Sequence, residues 1–402
     1  MRISALAGSK RQSRFGRTAT RRMGEPQQQP RMLAHDRTIQ HLGGFASLAN
    51  IFDGFILDLW GVIHDGAQPL PGAVDCLRRL KAMGKRVVLL SNVPRPHADV
   101  QADMRAMGIG DGLYTAMLTS GDAVRCALLD RPDQWWAALG ESVFHLGPER
   151  NTKVMDGLRL TRVTSPAQAE FVLATGPIDQ LDPADLSKHE PVLQDCARHH
   201  LPMVCPNPDL EAICGGRREI CAGALAQRYL ELGGDVRWVG KPDPAIYWSA
   251  LKMLDLQPER VLAVGDALRT DIAGGAGMGL ATCWVLGGIH GDELGGDPEL
   301  AQAAAREAGL SPLACIPRFT WWPSSGQHKS LPQQDRRASL DSHRPPRLVV
   351  RGHAIRLQRE EPGLPKKAAH LSRKMLSGEY RRRLMHRRQE TSMVEPERSL
   401  ET

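Results

Sequence analysis

The stretch Phe55-Ile-Leu-Asp58 is a short apolar run that ends in a carboxylate. Such a run is typical of a strand that is buried on both faces of a parallel sheet. Glycines and prolines between residues 61 and 72 then predict a loop, and the apolar spacing over residues 72–83 predicts a helix that ends at Gly84. Arg86-Val-Val-Leu-Leu90 follows as a second strand. This order predicts the first βα unit of a parallel sheet with right-handed crossovers.

The alternation of strands and helices continues along the chain. We predict a helix over residues 97–107 and another after Thr119-Ser120-Gly121. Further apolar runs predict strands at Val143–Leu146, Phe171–Ala174, Pro202–Cys205, Val261–Asp266 and Ala281–Val285. The fold class is therefore α/β, with a Rossmann-like core, a parallel sheet and a smaller α/β cap inserted into it.

Five segments follow from these patterns. Residues 1–35 are expected to form a disordered basic leader, or to precede a true start at Met32. Residues 36–139 and 237–323 are expected to form the core, whose pattern resumes at Val236, and residues 140–236 the cap. Residues 324–402 are expected to form a disordered basic tail.

Charge is distributed unevenly over the 402 residues. Residues 1–31 carry a net +7 and residues 324–402 a net +9, whereas the whole chain carries +7, so residues 32–323 carry −9. The core is therefore acidic, which argues against a nucleic-acid groove there. No apolar stretch has the length of a membrane span, and the N-terminus lacks the apolar centre of a secretory signal.

The eight cysteines contain no C-x-x-C pair and match no common zinc spacing. We expect them to be reduced, mostly buried thiols in a cytoplasmic protein. The sequence leaves the oligomeric state open, with a homodimer among the options.

Polar residues follow several of the predicted strands. They are Asp58, Ser91-Asn92, Lys241 and the pair Asp266 and Asp271. Ligands of open parallel sheets bind beyond the carboxyl ends of the strands, so we expect these side chains to meet there.

Their chemistry suits phosphoryl transfer. Asp58 is a suitable nucleophile for phosphorus, because the aspartyl-phosphate that forms is readily hydrolysed. Asp58 and Asp266 can hold Mg²⁺, which offsets the repulsion between a carboxylate and a phosphate dianion, and Asp271 can orient its ligands. Lys241 adds a fixed positive charge, and Ser91 with neighbouring N–H groups can bind the phosphate oxygens.

These residues, taken in order, resemble the four motifs of the haloacid dehalogenase superfamily. Asp58-Leu-Trp-Gly-Val resembles the first motif and Leu90-Ser91-Asn92 the second; Gly240-Lys241-Pro242 and Val264-Gly265-Asp266 through Asp271 resemble the third and fourth. The stretch Cys205-Pro-Asn207-Pro-Asp209 is similar to the cap of class IIA, the NagD-like phosphatases. The resemblance covers residues 45–320.

The resemblance implies a Mg²⁺-dependent phosphatase that acts on a small phosphorylated metabolite, such as a sugar phosphate or a nucleotide. It implies that Asp58 is the nucleophile, that Lys241 stabilises it, and that Asp58, the backbone carbonyl of Trp60, Asp266 and Asp271 form the metal site. Ser91 and Asn92 would bind phosphate. Asn207 and Asp209 would either contact the substrate or only shape a turn between prolines.

Trp60 departs from the family pattern. Most phosphatases of the family have an aspartate there, which protonates the leaving group, and such general acid catalysis contributes roughly 10²–10⁴ in rate. His64 or Asp65 could replace that donor, or both could be ordinary loop residues. Two alternatives stay open: metal-independent dehalogenation, and a phospho-ligand binding protein that has lost turnover. The acidic pair Asp266 and Asp271 favours a metal, because clustered carboxylates are costly without a cation.

Overall fold

The computed structural model describes residues 38–322. The predicted basic leader at residues 1–35 and the predicted basic tail at residues 324–402 lie entirely outside this range. Within it, no helix combines the length and the apolar character that crossing a membrane requires.

A seven-stranded parallel sheet forms the larger part of the fold, in the order β1-β14-β13-β12-β2-β3-β4. Its strands are Gln40–His41 (β1), Gly54–Leu57 (β2), Arg86–Ser91 (β3), Ala116–Thr119 (β4), Val261–Gly265 (β12), Ala281–Val285 (β13) and Ala314–Ile316 (β14). Phe55 and Leu57 point to one apolar cluster and Ile56 to another, so β2 is covered on both faces. The continuous apolar runs of the sequence arise from this two-sided burial.

Helices cover both faces of this sheet. Helices α1 to α3 pack on one face and α8 on the other. The helices of the described residues are Ala46–Ile51 (α1), Ala73–Ala82 (α2), His97–Ala106 (α3), Ser120–Asp130 (α4), Gln134–Ala137 (α5), Glu190–Arg198 (α6), Ala222–Glu231 (α7), Pro244–Leu254 (α8), Ala273–Gly277 (α9), Gly291–Leu294 (α10) and Pro298–Glu307 (α11). Helix α4 begins at a capping box in which Thr119 and Asp122 satisfy each other's backbone N–H groups.

A second parallel sheet of five strands lies in the middle of the chain, in the order β11-β8-β7-β5-β6. Its strands are Ser142–Leu146 (β5), Thr161–Val163 (β6), Phe171–Ala174 (β7), Met203–Cys205 (β8) and Val236–Trp238 (β11). An antiparallel hairpin, Glu211–Cys214 (β9) and Arg217–Ile220 (β10), is separate from both sheets. The predicted fold class, an α/β core with an inserted α/β cap, is confirmed.

One strand joins a different sheet from the one that the sequence pattern predicts. The sequence pattern predicts that the first sheet resumes at Val236, but Val236–Trp238 pairs in parallel with Met203–Cys205 of the second sheet. Short apolar strands of parallel sheets look alike in sequence, so their composition does not reveal which sheet they join. The first sheet resumes only at Val261.

Candidate active site between two sheet edges

A cavity of about 510 Å³ lies where the carboxyl ends of the two sheets face each other. From the first sheet, Asp58, Ser91 and Asp266 line it, directly at or after β2, β3 and β12. From the second sheet, segments that follow β5, β7 and β8 line the opposite wall. The cavity therefore occupies the position in which α/β sheets bind ligands.

Lys241 lies between two buried carboxylates behind this cavity. Its Nζ donates to Asp58 Oδ1 at 2.6 Å and to Asp271 Oδ1 at 2.8 Å. The three side chains are between 3% and 8% exposed, so the ion pairs are shielded from water. Burial alone would lower the pKa of Lys241, but the charges of Asp271 and Asp58 outweigh it and hold the pKa well above the usual value. Lys241 is therefore a permanent cation beside Asp58.

Asn92 fixes the backbone that carries Lys241. Its Oδ1 accepts from the Lys241 N–H at 2.7 Å, and its Nδ2 donates to the Lys241 carbonyl at 3.2 Å. Both polar atoms of the Asn92 side chain are therefore hydrogen-bonded to the Lys241 backbone, although Asn92 also lines the cavity. Ser91, the last residue of β3, is buried and accepts from the Val93 N–H at 3.3 Å.

Asp266 is held closely by the loops around it. Its Oδ2 accepts from the Ile289 N–H at 2.7 Å. A Cβ on Gly61 or on Gly288 would lie 2.0 Å from this same oxygen, so only glycine allows both loops to approach the carboxylate. Asp271 is fixed in a similar way, because its Oδ2 accepts from the Ala267 N–H at 3.1 Å.

The acidic groups fit a divalent cation. Ligand oxygens of Asp58, Asp266 and Asp271 all lie within 4.8 Å of one another. Lys241 offers a single positive charge against these three buried carboxylates. Burial, followed by the charge of Asp271, raises the pKa of Asp58 well above its usual value and that of Asp266 to about 7. Oxygen ligands that lack compensating charge are the donor set that Mg²⁺ prefers.

Asn207 and Asp209 follow β8 of the second sheet, and both line the cavity. Asn207 Oδ1 accepts from the Asp209 N–H at 3.1 Å, which closes a turn across Pro208. Burial raises the pKa of Asp209. The turn that the sequence suggested is therefore present. Asp209 interacts electrostatically with two of the acidic groups: the charge of Asp271 raises the pKa of Asp209, and the charge of Asp209 raises the pKa of Asp266.

Trp60 lines the cavity two residues after Asp58. Its indole contacts the ring of His64 edge-on, with ring centroids 5.4 Å apart. His64 is buried and does not line the cavity; its Nδ1 accepts from the Gly66 N–H at 3.0 Å, and burial lowers its pKa to about 4. Asp65 does line the cavity, but the Gln68 and Ala67 N–H groups lower its pKa. Neither residue is placed as a strong proton donor.

Several residues of the site carry no recognisable signal in the sequence. Ile289 supports Asp266 through its backbone N–H, which any residue offers. Tyr247 donates to the Asp271 carbonyl at 3.0 Å from helix α8, although its spacing in the sequence is that of an ordinary core residue. Arg150 and Thr175 reach the cavity only because the second sheet places them there.

Comparisons with known proteins agree with this geometry. The family described as haloacid dehalogenase-like hydrolase matches residues 55–161, and a HAD-hydrolase-like family matches residues 238–311. Chronophin of Bos taurus is 31% identical over 253 residues, which are 59% of this chain and 81% of that protein. The ribonucleotide monophosphatase NagD of Escherichia coli K12 is 28% identical, over 58% of this chain and 87% of its own.

A solved structure shows the same relationship. A haloacid dehalogenase-like hydrolase from Brucella suis has a TM-score of 0.59 and 30% identity, over 70% of this chain and 99% of its own. The sequence matches and this structure lead to one assignment. The chain belongs to the haloacid dehalogenase-like hydrolases, in their class IIA, NagD-like group of phosphoric monoester hydrolases.

Proposed function

We propose that this protein is a Mg²⁺-dependent phosphatase that hydrolyses a small phosphate monoester through an aspartyl-phosphate at Asp58. The observation that carries the proposal is the buried group of Asp58, Lys241, Asp266 and Asp271 at the end of the cavity. Three carboxylates against one ammonium leave negative charge that a metal would balance. The same excess disfavours the metal-independent dehalogenase alternative.

In this proposal, Asp58 attacks the phosphorus of the ester, and the bond to the leaving oxygen breaks. Water then attacks the aspartyl-phosphate, which releases inorganic phosphate and restores Asp58. Lys241 favours the ionised form of Asp58, against burial and the charge of Asp271, and positions its carboxylate by a hydrogen bond at 2.6 Å. Ser91 lies on the cavity wall, where its hydroxyl can bind phosphate oxygens, and Asn92 acts mainly by holding Lys241.

Asp58, Asp266 and Asp271, with the backbone carbonyl of Trp60, would hold the metal. A bound Mg²⁺ would supply the positive charge that a phosphate dianion needs in order to approach a carboxylate. Asn207 and Asp209, which follow β8 of the second sheet, would contact the substrate in the cavity that they line.

We also propose a division into a core and an inserted cap, in which the cap of residues 140–236 is extended to Trp238 so that it contains the whole of β11, and the core consists of residues 36–139 and 239–323. The core would supply the chemistry and the cap the far wall of the cavity. The eight free cysteines, all within the described residues, support a reducing compartment such as the cytoplasm.

Mg²⁺ is expected to stabilise the protein against thermal unfolding, and Asp266→Asn is expected to remove most of this effect. At about 100 times its Kd, a ligand adds ~2.7 kcal/mol to the free energy of unfolding. Asparagine keeps the shape of Asp266 and the bond from Ile289 but removes the charge. Melting temperatures with Mg²⁺ and with EDTA measure the effect without any substrate.

Asp297→Asn is a matched control, because Asp297 is exposed and caps helix α11, where asparagine caps equally well. It should respond to Mg²⁺ like the unmodified protein. If Mg²⁺ stabilises Asp266→Asn as strongly as the unmodified protein, Asp266 is not a metal ligand.

A further inference from the structure

The second sheet has a topological switch point of its own. The chain passes from β5 to β6 on one side and from β7 to β8 on the other, so the connections that leave β5 and β7 diverge. Parallel sheets bind ligands in the crevice at such a switch point. The first sheet has its switch between β2 and β12, where Asp58 and Asp266 lie. The crevice between β5 and β7 opens into the opposite wall of the same cavity.

The two loops at this crevice are locked together by buried polar contacts. Asn151, after β5, donates from Nδ2 to the Thr175 carbonyl at 3.0 Å. Thr175, after β7, is 2% exposed, and its Oγ1 lies 2.7 Å from His145 Nε2. Gly147 has φ +156°, and a Cβ there would lie 2.1 Å from Thr175 Oγ1. Only glycine allows the loops to lie this close, so contacts within the protein, without any ligand, hold the two loops together.

Among the arginines that line the cavity, Arg150 lies farthest from its nearest protein partner. Among the described residues it makes one ion pair, with Asp179 at 3.9 Å, and its side chain is 69% exposed. The other arginines of the cavity wall have closer partners. Arg95 lies 2.7 Å from Asp103, Arg218 lies 2.7 Å from Glu211, and Arg269 donates to the Pro208 carbonyl. Arg150 therefore keeps most of its donors for a ligand.

Thr175, which lines the same cavity, has a hydroxyl group that can act as a second donor. His145 Nδ1 is buried without a hydrogen-bond partner among the described residues. Burial also lowers the pKa of His145 to about 4, so the ring is neutral near pH 7. A proton on Nδ1 would be an unpaired buried donor, which is the costlier arrangement. The proton therefore belongs on Nε2, which donates to Thr175 Oγ1, and the hydroxyl hydrogen of Thr175 stays free for a ligand.

We propose that this crevice binds a second anionic group of the substrate, a carboxylate or a second phosphate, through Arg150 and the Thr175 hydroxyl. The substrate would then span the cavity, with its reacting phosphate at Asp58 and its second anion at the cap. This inference rests on the proposed phosphatase function. It selects, among small phosphate monoesters, those that carry two separated anionic groups.

The test compares two esters that differ only in that charge, 3-carboxyphenyl phosphate and its amide, 3-carbamoylphenyl phosphate. We expect the carboxylate to have the higher kcat/KM, mostly through a lower KM. A charge-assisted hydrogen bond contributes roughly 1.5–3 kcal/mol, which corresponds to about a 10- to 140-fold preference. The amide group withdraws electron density more strongly than the carboxylate does, so the phenol of the amide ester is the better leaving group. A preference for the carboxylate ester therefore cannot come from the chemical step. Benzene-1,3-diyl bisphosphate, which carries a second phosphate in place of the carboxylate, tests a phosphate as the second anionic group.

Arg150→Ala is expected to abolish the preference, because it should lower kcat/KM for the carboxylate far more than for the amide. Arg162→Ala is the matched control, since it removes a neighbouring charge that is paired with Glu149 and does not line the cavity. It should keep the preference. No preference in the unmodified protein, or a preference that survives in Arg150→Ala, would overturn the proposal.

A binding measurement separates this proposal from the proposed function. Calorimetry of both esters with Asp58→Asn reports the preference without turnover. If the unmodified protein hydrolyses neither ester but Asp58→Asn still binds the carboxylate more tightly through Arg150, the function fails and the subsite stands. If the unmodified protein hydrolyses both esters at equal kcat/KM, the phosphatase function stands and the subsite proposal fails.

Discussion

Trp60→Asp is expected to accelerate hydrolysis of esters with poor leaving groups by roughly 10²–10⁴, the usual contribution of a general acid. Trp60 lines the cavity two residues after Asp58, at the position where most phosphatases of the family have an acid. His64 is turned away from the cavity, and backbone N–H groups keep Asp65 ionised. The unmodified protein should therefore depend strongly on the acidity of the leaving group.

The measurement compares kcat/KM for phenyl phosphate and 4-nitrophenyl phosphate. The gain should be large for phenyl phosphate and small for 4-nitrophenyl phosphate, whose leaving group needs little protonation. Trp60→Asn is the control, because it removes the same indole packing against His64 but cannot donate an acidic proton. Equal rates in Trp60→Asp and Trp60→Asn would show that the missing acid does not limit this enzyme.

Lys241→Met is expected to lower the free energy of unfolding by about 3–5 kcal/mol and to abolish activity. The change leaves Asp58 and Asp271 buried without their shared cation, and breaking a buried ion pair typically costs this much. Urea unfolding in EDTA measures the loss. Lys153→Met is the control, because its ion pair with Asp99 is exposed and should contribute at most about 1 kcal/mol.

A second substitution tests the cause of this loss. Asp271→Asn in the Lys241→Met background removes one of the unpaired charges, so it should restore part of the stability. If Lys241→Met is no less stable than Lys153→Met, or if Asp271→Asn adds further loss, the buried ion pairs do not have the role assigned to them.

Local sequence patterns predict the centre of the fold well and its edges poorly. Strands such as Val261–Gly265 are buried on both faces, so they appear as continuous apolar runs. Two short strands contain too few residues to show a periodic pattern, so local sequence does not predict them. They are Ala314–Ile316 and Gln40–His41. The hairpin around Gly215-Gly216 was also missed, although two glycines between short runs are a recognised turn signal.

The candidate site follows the same division. Asp58 and Asp266 are predictable because each comes directly after a buried strand. Lys241 was expected at the end of a core strand, but it follows β11 of the second sheet and is held in place by Asn92. Arg150 and Thr175 could not be found from sequence, because their role depends on how the two sheet edges face each other. Such long-range placement has no local signal.

Hydrolysis of 4-nitrophenyl phosphate by the unmodified protein and by Asp58→Asn, each with Mg²⁺ and with EDTA, tests the central claim most directly. Asparagine is nearly the same size as aspartate but is a far weaker nucleophile. We expect hydrolysis by the unmodified protein with Mg²⁺, and none with EDTA or with Asp58→Asn. Hydrolysis that persists in Asp58→Asn or in EDTA, or its absence from the unmodified protein with Mg²⁺, would contradict the account.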